Sequence, residues 1–149
     1  MPELKKDCGL CYIPEKYRDL TIAEFDLWKC NLHESQVYPG RSLIILKRHV
    51  EDIFDITREE KRELEVIIRG FKRAVGEVFC TDMFNYAALG NTVRHAHLHF
   101  IPRYSHPLEY GGVIFEDRNQ GQNYAPYDKN FLVPKPVLLG IRDLIRDRL

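Results

Sequence analysis

Three histidines alternate with apolar residues in the segment His95-Ala96-His97-Leu98-His99-Phe100-Ile101. Successive side chains of a β-strand point to opposite faces, so the imidazoles would line one face while Ala96, Leu98 and Phe100 enter the core. The alternative is an ordinary solvated strand face, but such faces usually carry Lys, Glu, Thr or Ser. Histidine is the side chain whose ordinary pKa suits chemistry near neutral pH. The pattern therefore predicts a strand with a chemical role on its polar face.

The spacing of these histidines limits what they can bind together. On a flat strand His95 and His99 lie about 13 Å apart, at about 3.3 Å per residue. A zinc–nitrogen bond is about 2.0–2.1 Å, so one metal ion could reach two neighbours of the row but hardly all three. The row is better suited to an extended anionic ligand, with one imidazole acting as nucleophile or general acid/base. A metal on one outer histidine is compatible with that arrangement.

Length and charge restrict the class of protein. A chain of 149 residues is long enough for one domain with a core, and its formal net charge is zero. Zero net charge argues against binding polymeric nucleic acid, although it allows a single nucleotide as ligand. The sequence contains no apolar run of membrane-spanning length and no apolar signal segment at its start. We therefore expect a cytoplasmic protein without a membrane partner.

Cys8-Gly9-Leu10-Cys11 is the second chemical motif. Four cysteines in the whole chain are too few for a disulfide framework, and two thiols at this spacing are typical of half a tetrahedral zinc site or of a redox pair. A zinc site needs two more ligands, and the candidates are His33, His49, His95 and His106. We interpret His33 and His106 as ordinary surface or loop residues.

Periodicity predicts the main elements. Residues 24–30 alternate as in a half-buried strand, and residues 42–46 form a short β-branched run typical of a central strand. Thr57 and Glu60 form a capping box before a long amphipathic helix over about 58–79. Residues 83–89 and 94–101 are predicted strands, 102 to about 136 are mostly irregular with a strand at 112–115, and 137–149 form a C-terminal helix. No repeat or linker divides the chain.

The connection around Gly90-Asn91 decides where Asn85 lies. A three-residue loop, Gly90 to Thr92, would place Asn85 opposite His97, whereas a two-residue loop would turn Asn85 to the other face of the sheet. The sequence leaves both registers open.

Taken together, these residues resemble the histidine triad (HIT) superfamily over about residues 8–104. Residues 95–101 fit its His-φ-His-φ-His-φ-φ signature, in which φ is apolar, at every position. Residues 89–93 resemble its Gly-(Gln/Asn)-x-Val lead-in, and Asn31, Pro39-Gly40-Arg41 and residues 46–50 resemble its upstream block. The sequence departs from the family pattern at two positions. Arg41 stands where many members have a histidine beside the phosphates, and Asn91 stands where glutamine is commoner.

The resemblance implies an α+β, HIT-like fold, with an antiparallel sheet of about five strands, the long helix and a homodimer. Residues 1–149 would form a single domain of this kind, with 105–149 as an irregular extension and a C-terminal helix. It also implies that His97 attacks the α-phosphate of a mononucleotide conjugate or dinucleotide, forming a nucleotidyl-histidine that water or another acceptor resolves. His99 would bind phosphate or assist the leaving group. The substrate contacts would come from Asn31, Arg41, Asn85, Asn91 and His99.

In zinc-bearing branches of the family, the Cys-x-x-Cys pair, an upstream histidine and the first triad histidine share one metal. The matching residues here are Cys8, Cys11, His49 and His95. The resemblance thus implies a structural Zn²⁺ with no open position, and no organic cofactor. The rival interpretation is a reduced, metal-free turn at Cys8 and Cys11, with His95 left free to bind phosphate.

The expected function is hydrolysis or transfer at the α-phosphate of dinucleoside polyphosphates or nucleoside phosphoramidates. Three alternatives remain. The nucleotidyl group could pass to a phosphorylated acceptor, the protein could be a non-catalytic nucleotide-binding module, or His95 and His97 could hold a catalytic metal. The last is disfavoured because the strand contains no acidic residue to complete such a centre.

Overall fold

The computed structural model describes residues 3–125 and 128–149. Residues 1, 2, 126 and 127, which belong to the expected domain 1–149, lie outside the described residues. The elements in chain order are α1 Glu15–Arg18, β1 Thr21–Glu24, β2 Trp28–Leu32, β3 Ser42–Leu46, a 3₁₀ turn Ile53–Asp55, α2 Arg58–Phe79, β4 Met83–Ala87, β5 His97–Arg103, β6 Leu108–Tyr110, β7 Val113–Phe115 and α3 Lys135–Arg146.

The strands form an antiparallel sheet in the order β1-β2-β3-β5-β4, and β6 and β7 form a separate hairpin. Helix α2 covers one face of the sheet. Its predicted capping box is present, with the Thr57 side chain accepting from the Glu60 amide and the Glu60 carboxylate accepting from the Thr57 amide. In the core, the Phe71 ring packs edge-on against Phe100 of β5 at 5.6 Å. The five-stranded antiparallel sheet and the long helix of the predicted α+β fold are thereby confirmed.

Strand β5 lies between β3 and β4 and is covered on both faces. Ala96 and Phe100 are buried in the core, as predicted from the alternation, whereas Leu98, also predicted for the core, is only partly buried against it. On the opposite face, which we call the histidine face, His97 and His99 are each only 8% exposed. The imidazoles therefore line an enclosed site and not a solvated strand surface.

The prediction of one strand over 24–30 is wrong. Strand β1 ends at Glu24 and β2 begins at Trp28, with a tight turn in which the Phe25 amide donates to the Trp28 carbonyl at 2.8 Å. The Glu63 carboxylate on α2 accepts hydrogen bonds from the next two turn amides, at 3.2 and 2.7 Å. This turn is stabilised by a side chain distant in sequence, and residues 25–27 contain no glycine or proline. The local sequence therefore gives no signal that a turn interrupts the strand.

Neither predicted loop between β4 and β5 is present. Strand β4 ends at Ala87, which pairs with His99, so Asn85 lies opposite Ile101 and not opposite His97. The chain before His97 bonds elsewhere, because the Ala96 amide donates to the Val50 carbonyl and the Leu46 amide donates to the Ala96 carbonyl. These long-range bonds withdraw residues 88–96 from the hairpin and lengthen the connection. Asn85 still shares the histidine face, since paired residues of neighbouring strands point to the same side.

The C-terminal segment returns to the sheet. The strand predicted at 112–115 is present as β7, and the predicted C-terminal helix is α3, which contacts β1 and α2. Its Val137, Leu138, Ile141 and Ile145 are buried. Among the described residues, no helix combines the length and the apolar character needed to cross a membrane.

Arg103, the last residue of β5, fastens the segment that follows β7 to the histidine face. Its Nε and Nη2 donate to the two Asp117 carboxylate oxygens at 2.7 and 3.1 Å, and the two side chains are 4% and 0% exposed. Its remaining donors reach the carbonyls of Asn119 and Gln122, at 2.7 and 2.8 Å, and Oδ1 of Asn85, at 2.8 Å. Residues 117–122 are thus held by one buried, charge-paired side chain.

Asp117→Asn should destabilise the protein by about 3–5 kcal/mol, because it leaves the buried Arg103 cation without its counter-charge. Urea unfolding measures the change. The matched control is Glu116→Gln, which removes the neighbouring exposed carboxylate that pairs with Arg118 at 3.6 Å. We expect the control to shift stability by less than about 0.5 kcal/mol. Similar small effects for both variants would contradict the structural role of the Arg103–Asp117 pair.

Candidate active site

His97 and His99 line a cavity of about 320 Å³, which we call the histidine cavity. It lies on the histidine face, between the 88–96 connection and the turn that precedes β3. The cavity walls include Leu10, His33, Arg41, Leu43, residues 89–93 and Tyr124. Four histidine or arginine side chains therefore converge on one small space.

The His97 ring has a defined tautomer. Its Nδ1 lies 2.5 Å from the carbonyl oxygen of His95, and a carbonyl oxygen can only accept a hydrogen bond, so Nδ1 carries the proton. Burial lowers the pKa of His97, which favours the neutral ring. In a neutral imidazole with Nδ1 protonated, Nε2 carries the lone pair. His97 is thereby prepared as a nucleophile or a base.

His99 is the second imidazole of the cavity, with its ring centroid 5.2 Å from that of His97. Burial, with smaller contributions from His97 and Arg41, lowers the pKa of His99 to about 4. Its Nδ1 is buried and has no hydrogen-bond partner within residues 3–125 and 128–149. A buried polar atom of this kind is costly unless a ligand or water meets it. The arrangement suits a ligand that enters the cavity.

Arg41 brings a positive charge to the same cavity, although its side chain is buried. The turn that presents it is tied by Gln36, whose Oε1 accepts from the Gly40 amide while Nε2 donates to the carbonyls of His33 and Arg41. Gly40 has φ +92°, a conformation that glycine adopts without strain. The structure therefore places the Arg41 cation in the wall of the histidine cavity, and its contact with phosphate stays a prediction.

His33 is a site residue that the sequence interpretation missed. It is partly buried, it lines the histidine cavity, and its ring centroid lies 6.2 Å from that of His99. Burial, then the charges of Arg41 and His99, lower its pKa to about 3. The Ser35 amide donates to His33 Nδ1 at 3.0 Å, so the neutral ring carries its proton on Nε2. Only the folded loop between β2 and β3 brings His33 to the cavity. His106, in contrast, is exposed as expected.

A second cavity of about 330 Å³, the apolar cavity, adjoins the first. Leu10, His33, Leu43 and Val93 line both cavities. Asn31 lines the apolar cavity, where its Nδ2 donates to the Tyr17 carbonyl at 3.2 Å. Its Oδ1 is buried and has no hydrogen-bond partner in the part of the chain that the structure describes. Asn31 thus offers an acceptor beside the histidine cavity, not inside it.

The other two predicted amides take different positions. Asn91 is exposed on the 88–96 connection and lines the histidine cavity together with Thr92, which the sequence interpretation did not single out. Asn85 lies outside that cavity, with its Oδ1 accepting from Arg103. It lines a third cavity, further along the histidine face.

Cys8, Cys11, His49 and His95 meet in one cluster, as the resemblance implies. Their ligand atoms all lie within 4.8 Å of one another. His95 Nδ1 lies 3.4 and 3.5 Å from the sulfurs of Cys8 and Cys11, and 3.2 Å from His49 Nδ1. A zinc tetrahedron with bonds of about 2.0–2.3 Å has edges of about 3.3–3.8 Å, so this donor set fits a metal ion.

The orientation of His95 favours the same conclusion. Its Nε2 lies 2.7 Å from the Leu46 carbonyl oxygen, which must accept, so the lone pair of the neutral ring is on Nδ1 and points at the cluster. Metal-bound histidines typically donate their other N–H to such an acceptor. The structure therefore turns His95 away from the histidine cavity, and His97 and His99 remain for chemistry.

The sequence and the fold are similar to those of known proteins. The sequence model of the HIT domain matches residues 15–106. The chain belongs to the HIT family. It is similar to "Protein hit" of Bacillus subtilis (strain 168), with 30% identity over 99 residues, which are 63% of this chain and 66% of that protein. The chain thus spans just under two thirds of that relative's length.

A second relative is the bis(5'-adenosyl)-triphosphatase of Dictyostelium discoideum, 30% identical over 109 residues, which cover 68% of this chain and 73% of that enzyme. Among solved structures, the fold is similar to that of a zinc-bound histidine triad family protein from Mycobacterium smegmatis. The TM-score is 0.64 at 23% identity, covering 95% of this chain and 92% of that one. The HIT-like fold expected from the sequence is thereby confirmed.

The partly buried, neutral His33 should make the HIT protein less stable in acid. Its folded pKa of about 3 lies below the ordinary value of 6.5, so between these values the unfolded chain binds more protons and stability falls as pH falls. His33→Gln should reduce this slope by up to about 1.4 kcal/mol per pH unit. Urea unfolding from pH 7 to pH 4 measures it. The control His106→Gln should keep the parent slope, and a parent-like slope in His33→Gln would contradict the assignment.

Proposed function

We propose that this HIT protein hydrolyses dinucleoside polyphosphates, and related nucleoside 5'-phosphate conjugates such as phosphoramidates, at the α-phosphate through a nucleotidyl-His97 intermediate. The observation that carries the proposal is the hydrogen bond from His97 Nδ1 to the His95 carbonyl. Because this bond places the proton on Nδ1, the lone pair of the neutral His97 ring is on Nε2. The ring lines the histidine cavity, whose wall also contains the buried, positively charged Arg41 side chain.

In the first step, His97 Nε2 attacks the α-phosphorus and forms a P–N bond. The bond from phosphorus to the leaving-group oxygen breaks, and that oxygen takes the electron pair as part of the departing phosphate. The developing imidazolium charge is stabilised by the His95 carbonyl at Nδ1. In the second step, water attacks the phosphorus, the P–N bond breaks, and His97 returns to the neutral form after the water proton is lost.

The other cavity residues supply positioning and charge, which phosphoryl transfer chiefly requires. Arg41 would hold the negative phosphate oxygens, and the buried Nδ1 of His99 offers a further polar contact. Asn91 reaches the same cavity from the 88–96 connection. The apolar cavity would take the nucleoside, with Asn31 Oδ1 accepting from a ribose hydroxyl. Asn85 is too far along the sheet for these contacts.

The choice of substrate and acceptor rests on similarity. The Dictyostelium relative is named a bis(5'-adenosyl)-triphosphatase, and this name supports a dinucleoside triphosphate as the substrate and water as the acceptor. A phosphorylated acceptor would change only the second step. A non-catalytic nucleotide-binding module would bind the same ligands without forming the P–N bond.

His97→Ala should lower kcat for a dinucleoside triphosphate by about a thousandfold or more, because the nucleophile is lost. The measurement is steady-state release of nucleoside monophosphate. The matched control is His106→Ala, which removes an exposed imidazole and should retain parent activity. Turnover by His97→Ala within tenfold of the parent would exclude the nucleophilic role, and an inactive parent would exclude the hydrolase.

We also propose that the Cys8, Cys11, His49 and His95 cluster holds one structural zinc ion. Support comes from the tetrahedral spacing, the orientation of His95, and the zinc-bound solved relative. Four protein ligands leave no position for substrate, so the metal would anchor the N-terminal segment and take no part in the reaction. Leu10 and Ile13 of that segment line the apolar cavity, which the metal would thereby keep in place.

Cys8→Ser should bind little zinc and should lose about 10 °C or more in Tm, because a closed metal site contributes folding free energy. Elemental analysis and thermal unfolding measure the two effects. The control is Cys80→Ser, which changes an exposed cysteine outside the cluster and should keep about one zinc per chain. A stable parent protein purified without metal, and unable to bind added zinc, would overturn the site.

The HIT resemblance further leads us to propose a homodimer. Strand β4 is at the edge of the sheet, and its Met83 and Tyr86 are exposed, so its backbone is available to a second chain. Light scattering should give twice the chain mass of 17.6 kDa. A monomer at micromolar concentration would contradict the proposal.

Two further expectations are proposals of the same kind. Residues 1–149 would fold as one HIT-like domain, because α3 packs on β1 and α2 and Arg103 anchors the segment after β7. The protein would work in the cytoplasm, because its four cysteines, all within the described residues, form no disulfide, as is usual in a reducing compartment.

A further inference from the structure

The third cavity on the histidine face has no role in the reaction described above. Its volume is about 630 Å³, and its walls include Asn85 on β4, Arg103 on β5 and residues 120–124. Arg103 and His99 lie on the same face of β5, because residues four apart on a strand share a side. The cavity therefore continues the histidine face towards the end of β5. Its volume falls in the range of small-molecule sites.

The three cavities adjoin one another on the same face. Leu10, His33, Leu43 and Val93 line both the apolar cavity and the histidine cavity. Tyr124 lines both the histidine cavity and the third cavity. The order is apolar cavity, charged histidine cavity and third cavity. That order corresponds to nucleoside, phosphate chain and second nucleoside in a dinucleoside polyphosphate.

We propose that the third cavity binds the nucleoside of the leaving nucleotide. This inference rests on the proposed function. The cavity would let the protein distinguish a dinucleoside polyphosphate from a nucleotide ester whose leaving group contains no nucleoside. We call the cavity the leaving-nucleoside subsite.

The charge of the subsite favours a neutral base over a phosphate. The Arg103 cation is paired with both carboxylate oxygens of Asp117 and is buried, so it offers no free positive charge. Asp82 adds a carboxylate to the lining. Phosphate groups are therefore not favoured in the subsite.

The polar groups of the subsite suit the edge of a nucleobase. Arg103 donates to Asn85 Oδ1, which orients this amide and leaves its NH₂ group able to donate. Gln120, Gln122 and Asn123 add amides with both a donor and an acceptor. Tyr124 supplies a ring on which a base can stack. The segment is rigidly held, because Arg103 also donates to the Gln122 carbonyl and the Ala125 amide donates to the Tyr38 hydroxyl.

Asn85 and Arg103 lie inside the HIT domain match, which ends at residue 106, whereas residues 120–124 of the subsite lie outside it. Residues 120–124 come from the extension that the sequence analysis treats as irregular. The subsite thus gives this extension a function in substrate selection.

The test compares two substrates that share one nucleotide. The first is a dinucleoside triphosphate, and the second is the 4-nitrophenyl ester of the nucleoside 5'-monophosphate, whose leaving group has no nucleoside. Gln122→Ala removes a side-chain amide from the subsite, while the backbone carbonyl of residue 122 can still accept from Arg103. Asn123→Trp places a large side chain in the cavity and fills it. The controls are Asn130→Ala and Asn130→Trp, at an exposed amide on the same segment outside the cavity.

For the dinucleoside triphosphate, we expect kcat/KM to fall up to about tenfold in Gln122→Ala and roughly ten- to a hundredfold in Asn123→Trp. For the ester, both variants should stay within about twofold of the parent, which also shows that they fold. The Asn130 variants should match the parent on both substrates. Equal losses on both substrates, or no loss on either, would overturn the subsite and leave the hydrolase intact. A parent that cleaves neither substrate would overturn the hydrolase, and the subsite with it.

Discussion

The structure depends on strand β5 being buried on both of its faces. Phe100 packs beneath helix α2 on one side, and His97 and His99 are covered on the other by the N-terminal segment, the 88–96 connection and Tyr124. Burial lowers the pKa of both histidines, so the rings are neutral near pH 7. If the histidine face were exposed to water, the same histidines would lack the lowering of their pKa values that burial causes.

The N-terminal segment and the segment after β7 provide that cover, each through a buried polar anchor. In the N-terminal segment, Cys8 and Cys11 lie against His49 and His95, and Leu10 between them lines the apolar cavity and the histidine cavity. After β7, Arg103 holds residues 117–122 and thereby positions Tyr124. In this account one anchor shapes the space for the nucleoside that is retained, and the other shapes the space for the nucleoside that leaves.

Local patterns were sufficient to predict much of this arrangement. The alternation from His95 to Ile101 specified β5, and the capping box at Thr57 specified the start of α2. The position of His33 could not be predicted in this way, because Gln36 brings it beside Arg41 through hydrogen bonds across the turn. Neither of the two registers left open for Asn85 is present, because the bonds of Ala96 and Leu46 that lengthen the connection join residues far apart in sequence. Local sequence predicts faces and caps, whereas these contacts exist only after folding.

The most direct test of the account is a search for the covalent intermediate on His97. A dinucleoside triphosphate labelled at the α-phosphorus would be mixed with excess enzyme and quenched in alkaline denaturant, since acid cleaves the P–N bond. Peptide mapping by mass spectrometry would then locate the label. The account predicts one nucleotidyl group on His97, formed faster than steady-state turnover and lost as monophosphate appears. Product formation without an adduct, or an adduct on another residue, would contradict it.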